Sequence, residues 1–171
     1  MFLKRVKEKE ALNLITSSLQ QKLDIEVGGK VSKVGVVFNY NEFDNVHTLL
    51  SLAKTLHLEE HNFRIVAYIN KKQKNKIYDV PVFDENDLKR KGEIQHIEIA
   101  NFYNTTFDVL INFYNEAPLP LKLVSARTIA YLKVGLNQNT PLNDIVFKMK
   151  DMNFSEFNIE LVKYLKILKR F

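Results

Sequence analysis

The chain has 171 residues, 46% of them hydrophobic and 11% aromatic, with five glycines, four prolines and no cysteine. That is the composition of a densely cored domain near the common size of ~100–150 residues, not of a disordered chain; it excludes disulfides and thiolate chemistry and leaves any zinc site to His and carboxylates. The net charge of +5 gathers in "KKQKNK" (Lys71–Lys76), "KRK" (Lys89–Lys91) and "KYLKILKRF" (Lys163–Phe171), which fits either weak nucleic-acid binding or solvated loops and a helix end whose cations complement the macrodipole.

Leu3, Val6, Leu12, Ile15 and Leu19 recur at near-helical spacing, which predicts a helix over 3–22. It forms an amphipathic arm, residues 1–23, that packs on the domain or flanks it. Charge interrupts this arm too often for a signal peptide, and no apolar run approaches the ~20 residues needed to cross a bilayer. A cytoplasmic location is therefore expected. Gly28-Gly29 breaks the chain, and "KVGVVFN" (33–39) follows as a continuous apolar run, the mark of a strand covered on both faces. Val46, Leu49, Leu50, Ala53 and Leu56 place a helical stripe on Phe43–His57. "FRIVAYIN" (63–70) is a second buried strand, and the three elements make a right-handed parallel βαβ unit.

After the lysine-rich loop, "DVPVFD" (79–84) reads as a short or edge strand because of Pro81. "IQHIEIAN" (94–101) alternates like a half-buried strand, and "FDVLINF" (107–113) is apolar on both faces. Pro118 and Pro120 suit the first turn of a helix over Leu119–Ala130. "YLKVGLN" (131–137) and "DIVFKM" (144–149) are short strands. An amphipathic helix over Phe154–Lys169 closes the sequence, with Ser155 as its expected N-cap. This alternation predicts one α/β domain over 1–171: a three-layer Rossmann-like sandwich with a mostly parallel sheet and helices on both faces.

Ligands of such sheets bind beyond the strand C-termini where the strand order reverses. Asn39, Tyr40, Asn41 and Glu42 end the first strand, Asn70 follows the second, and Asn112, Tyr114, Asn115 and Glu116 end a later one. These residues can orient a polar ligand, or can simply close turns by bonding nearby backbone. The five glycines do not form GxGxxG or GxxxxGK[ST], and no GxSxG is present, which disfavours dinucleotide, nucleoside triphosphate and serine-hydrolase chemistry. No cofactor is expected. "HLEEH" (His57–His61) matches the inverted zinc-protease motif, but the next strand follows at once, so a polar helix terminus without metal is expected there.

The stretch "VVFNYNEFDNVHTLLSLAKTL" resembles the start of the heptosyltransferase-type glycosyltransferases. In that family a buried strand leads through a short loop to Gly-Asp and a hydrophobic–His–Thr–Leu helix opening; Asp44, Val46, His47, Thr48, Leu49 and Leu52 fall on this pattern. "FDVLINF", a helix and "YLKVGL" resemble the family's second signature, a Tyr-Asp-aliphatic strand and a helix leading to an Arg-Val-Gly strand. The resemblance implies a Rossmann-like topology with Asp44 in the place of the catalytic base, although Phe43 stands where those enzymes carry glycine. Length, opening helix and element order are also similar to an uncharacterised family of small bacterial α/β proteins, a domain of unknown function, which implies no mechanism.

The sequence thus favours a non-catalytic binding or interaction module with a small-ligand crevice at the strand ends. The terminal helices are its partner-facing elements, toward a second copy or another protein. The alternatives are a degenerate or half-size sugar transferase using Asp44, and a weak nucleic-acid binder acting through the lysine-rich loops.

Overall fold

A computed structural model describes residues 1–20, 29–136, 139 and 141–171. The continuous apolar runs become strands buried on both sides. β1 (Val34–Asn39), β2 (Phe63–Tyr68) and β4 (Phe107–Phe113) form the middle of a six-stranded sheet. β3 (Val82–Phe83) flanks β2, and β5 (Ala130–Gly135) and β6 (Ile145–Val146) follow β4. The order is β3-β2-β1-β4-β5-β6, and every pairing is parallel. This is the doubly wound arrangement, in which order reverses between β1 and β4.

Helices cover both faces. α2 (Val46–Thr55) and α5 (Phe154–Ile167) pack one side, where Leu49, Leu52, Phe157 and Leu161 meet Val36, Phe38, Ile111 and Phe113. The Phe113 ring lies 5.1 Å from those of Phe157 and Phe43, edge to face in both cases, which adds to simple area burial. α1 (Phe2–Gln20), α3 (Ile97–Tyr103) and α4 (Leu119–Arg127) cover the other side over Val37, Val66, Leu110 and Tyr114. Gly35 makes the close approach on that side possible: a Cβ there would stand 2.9 Å from the Phe107 ring and 3.0 Å from that of Phe102.

Several boundaries depart from expectation. The segment 94–101 is not a strand but the approach to α3 and its first turns. Ile99, Phe102 and Tyr103 form the buried stripe at helical spacing, while Ile97 is exposed. α2 begins at Val46 rather than Phe43 because the Asn45 side chain accepts the Thr48 N–H at 3.2 Å, which makes Asn45 its cap. Asn153, not Ser155, caps α5 through the Glu156 N–H. α4 stops at Arg127 because Ala130 already pairs in β5, and the 144–149 stretch pairs only at Ile145–Val146. The expected ends of the first helix at 21–22, Gly28, and position 137 of the strand after α4 lie outside the described residues.

Candidate functional site

The register sets the polar strand ends side by side. Val37 pairs with Asn112 and Phe38 with Phe113, so Asn39 ends β1 against the start of the Tyr114–Glu116 turn. The echo between the two stretches is therefore spatial as well as sequential. The residues meet at the reversal point, and they meet each other.

The Glu42 carboxylate crosses from the β1 loop to the β4 loop. It accepts the Asn115 N–H at 3.0 Å and the Glu116 N–H at 3.0 and 3.1 Å through its two oxygens. Burial raises its pKa above the ordinary carboxylate value, opposed by the amides of Glu116 and Asn115. Asn39 is buried and fully engaged: Oδ1 accepts the Asn41 N–H at 3.1 Å and Asn41 Nδ2 at 2.8 Å, while Nδ2 donates to the Glu116 carbonyl at 3.2 Å. Asn41 Oδ1 in turn accepts the Asn70 N–H at 3.4 Å.

The other expected site residues turn elsewhere. Tyr114 points into the α4-side core, where its hydroxyl donates to Ser125 Oγ at 2.8 Å and burial pushes its pKa far up. Tyr40 packs edge to face on Tyr78, and Lys76 Nζ lies 5.3 and 5.1 Å from the two ring centres. Asp44 is exposed at the loop before α2. Asn112 is fully buried and donates from Nδ2 to Asn143 Oδ1 at 2.7 Å. Its Oδ1 and the Nδ2 of Asn143 have no partner among the described residues. Asn143 reaches this position because β5 presents Gly135, where a Cβ would come within 2.6 Å of Asn143 Nδ2 and 2.7 Å of the Asn112 carbonyl.

Asn39, Asn41 and Glu42 thus spend their hydrogen bonds on the neighbouring strand ends, and Glu42 staples the two loops. Among the described residues no three His, Asp or Glu side chains are grouped to hold a metal. His57 adopts φ 55° just past α2 and His61 lies in the one-turn helix Glu60–Asn62, so the two histidines do not share a helix.

The basic clusters are also engaged with the fold. Lys72 Nζ sits 2.7 and 2.8 Å from the Asp87 carboxylate, and the buried Asp84 accepts the Lys72 N–H. Glu10 on α1 accepts the Lys91 N–H at 2.6 Å and pairs with Arg90 at 3.4 Å. No helix among the described residues is long and apolar enough to cross a membrane.

A family model described as "Family of unknown function (DUF6913)" matches residues 7–168. No curated protein and no solved structure matches the chain.

Proposed function

The chain belongs to this family of unknown function, and we propose that it works as a non-catalytic interaction module whose partner-facing element is α5. One observation carries the non-catalytic reading. At the reversal point, where a doubly wound sheet holds its ligand, the one partly buried carboxylate is committed to two main-chain amides of the facing loop. In this reading Asn39, Asn41, Asn70, Asn112 and Asn115 serve the fold rather than a ligand.

Recognition then falls to the surface. Ile159 and Ile167 of α5 are 64% and 63% exposed, and Val162 lies between them on the same stripe. The first half of the helix carries Glu156 and Glu160, the second Lys163 and Lys166. In an antiparallel pair about a two-fold axis, Ile159 meets Ile167 of the second copy and Glu160 meets its Lys166, while Lys163, held at 3.3 Å by Glu160 of its own helix, falls on the axis. The occupant of this face is therefore a second copy of the chain, held by an isologous contact. A helix about 21 Å long offers a contact at or below the ~1,200 Å² floor of stable interfaces, so the association is weak and concentration-dependent.

Sedimentation velocity over a concentration series tests the pairing. Glu160→Lys and Lys166→Glu each weaken it, Ile159→Lys abolishes it, and the double charge exchange restores it. A monomer at every concentration, or a double exchange no better than the single variants, overturns the dimer. Thermal-shift screening with nucleotide sugars tests the rival reading: stabilisation lost in Asp44→Asn would establish the sugar-transferase alternative in place of this one. Retardation of short DNA or RNA that falls steeply with salt would do the same for the lysine-rich loops.

A further inference from the structure

The α1–α3–α4 layer covers one face of the sheet. Parallel neighbours need a crossover of a dozen or more residues, usually helical. β5 and β6 are joined by 136–144, and none of the described residues there is helical. Leu142 drops into that layer, and beside it lies a cavity of about 430 Å³ bounded by the ends of α1, α3 and α4 and by β5. That volume falls within the ~300–1,000 Å³ of small-molecule sites.

Two cations, Lys133 and Arg127, and one carboxylate, Asp144, line the cavity. Lys133 of β5 is half-buried, and its Nζ donates to the Ser125 carbonyl at 2.9 Å and the Ala126 carbonyl at 3.3 Å. An ammonium has three N–H groups, so one is left over. No described carboxylate forms an ion pair with it. Asp144 accepts the Lys133 main-chain N–H at 2.8 Å and acts on the amine only through its field. Arg127 lays its guanidinium 4.1 Å over the Tyr103 ring and gives one N–H to the Gly92 carbonyl at 2.8 Å. Leu19, Ala126 and Ile129 supply apolar wall.

Withdrawing cations from water is costly unless anions compensate them, and two cations share this concave, half-apolar space with one lining carboxylate, Asp144. We infer that this cavity binds a small organic anion, a carboxylate or phosphate ester on an apolar body, with Lys133 as its charge partner and Arg127 as the second. The site lies beyond the β5 side of the α4 layer, apart from both Glu42 and α5, so it stands or falls independently of the dimer.

A ¹⁵N-correlation titration of the full chain with benzoate, phenyl phosphate and benzylamine tests it. The two anions bind with millimolar affinity, as expected for so few heavy atoms, and shift the amides of 126–133; the cation of similar shape does not. The tighter of the two anions assigns the headgroup. Lys133→Met weakens benzoate binding about tenfold. Asp144→Asn strengthens it, a gain that a folding defect cannot produce. Equal binding of benzylamine, shifts confined to the lysine-rich loops, or undiminished benzoate binding in a natively folded Lys133→Met protein overturns the inference.

Discussion

Glu42→Ala is the sharpest test of how the two central loops are held. The carboxylate reaches amides 73 and 74 positions away in sequence, and truncation removes both links at once. A hydrogen bond to a charged group is worth ~1.5–3 kcal/mol where water is excluded. Asn115 and Glu116 are exposed, so their amides recover water when released, and solvent screens the charge. The expected loss is therefore about 1–2 kcal/mol for the pair of links, or ~2–8 °C in melting temperature for a chain of this size. Urea denaturation at pH 7 reads it as a lower midpoint with an unchanged slope.

Glu42→Gln separates charge from geometry, since the amide oxygen still accepts. Because burial raises the folded pKa above the reference value of 4.5, the folded protein holds the Glu42 proton more tightly than the unfolded chain. This group's contribution is full below 4.5 and declines as pH rises through the folded value. The Gln variant, which has no proton to lose, compares best with the wild type at neutral pH and worst in acid. The reasoning fails if the Ala variant stays within ±0.5 kcal/mol of wild type, the range of an ordinary surface change, or if Gln is as damaging as Ala at pH 7.

Lys133 carries a pH dependence of the opposite sense. Burial lowers its pKa from 10.5 to about 8, partly offset by Asp144, so between those values the unfolded chain binds the extra proton and stability rises with pH. Relative to Lys133→Met, the wild type gains at most about 3 kcal/mol from pH 8 to 10.5; parallel denaturation profiles of the two proteins would refute it. Gly135→Ala drives a Cβ against the Asn112 carbonyl at 2.7 Å and the Asn143 amide at 2.6 Å. Overpacking against backbone costs ~1–3 kcal/mol, measurable by calorimetry, and a variant as stable as wild type would show that Asn143 swings away freely.

The sheet was legible because its central strands are buried on both sides. "VGVVF", "FRIVAY" and "FDVLINF" need no alternation to be recognised, and their links fix a parallel order. The segment at 94–101 misled because a short apolar alternation also fits a helix that has just begun. Its stripe is completed by Phe102 and Tyr103, beyond the window that looked like a strand. At the strand ends, residue types gave the address but not the traffic. Glu42 meets Asn115 and Glu116 only through the register of β1 on β4, and Asn143 reaches Asn112 only because Gly135 lacks a Cβ. Neither relation is local, so no pattern in either stretch contains it.

The cavity beside Lys133 was nearer to hand. "YLKVGLN" and "DIVFKM" are both strand-like, and only "QNTPLN" separates them, too little chain for the helical crossover that parallel neighbours normally use. Parallel crossovers are right-handed as a rule, and α2 and α5 lie on one face with α3 and α4 on the other. The short link therefore had to leave the α4 side of β5 thinly covered. A lysine in the middle of an apolar strand is an error on a fully covered sheet and admissible at such an edge. Chain length between two strands and one charge within the first thus point to the same place, and this pairing of signals locates the cavity more directly than the Asn-Tyr-Glu echo located a ligand.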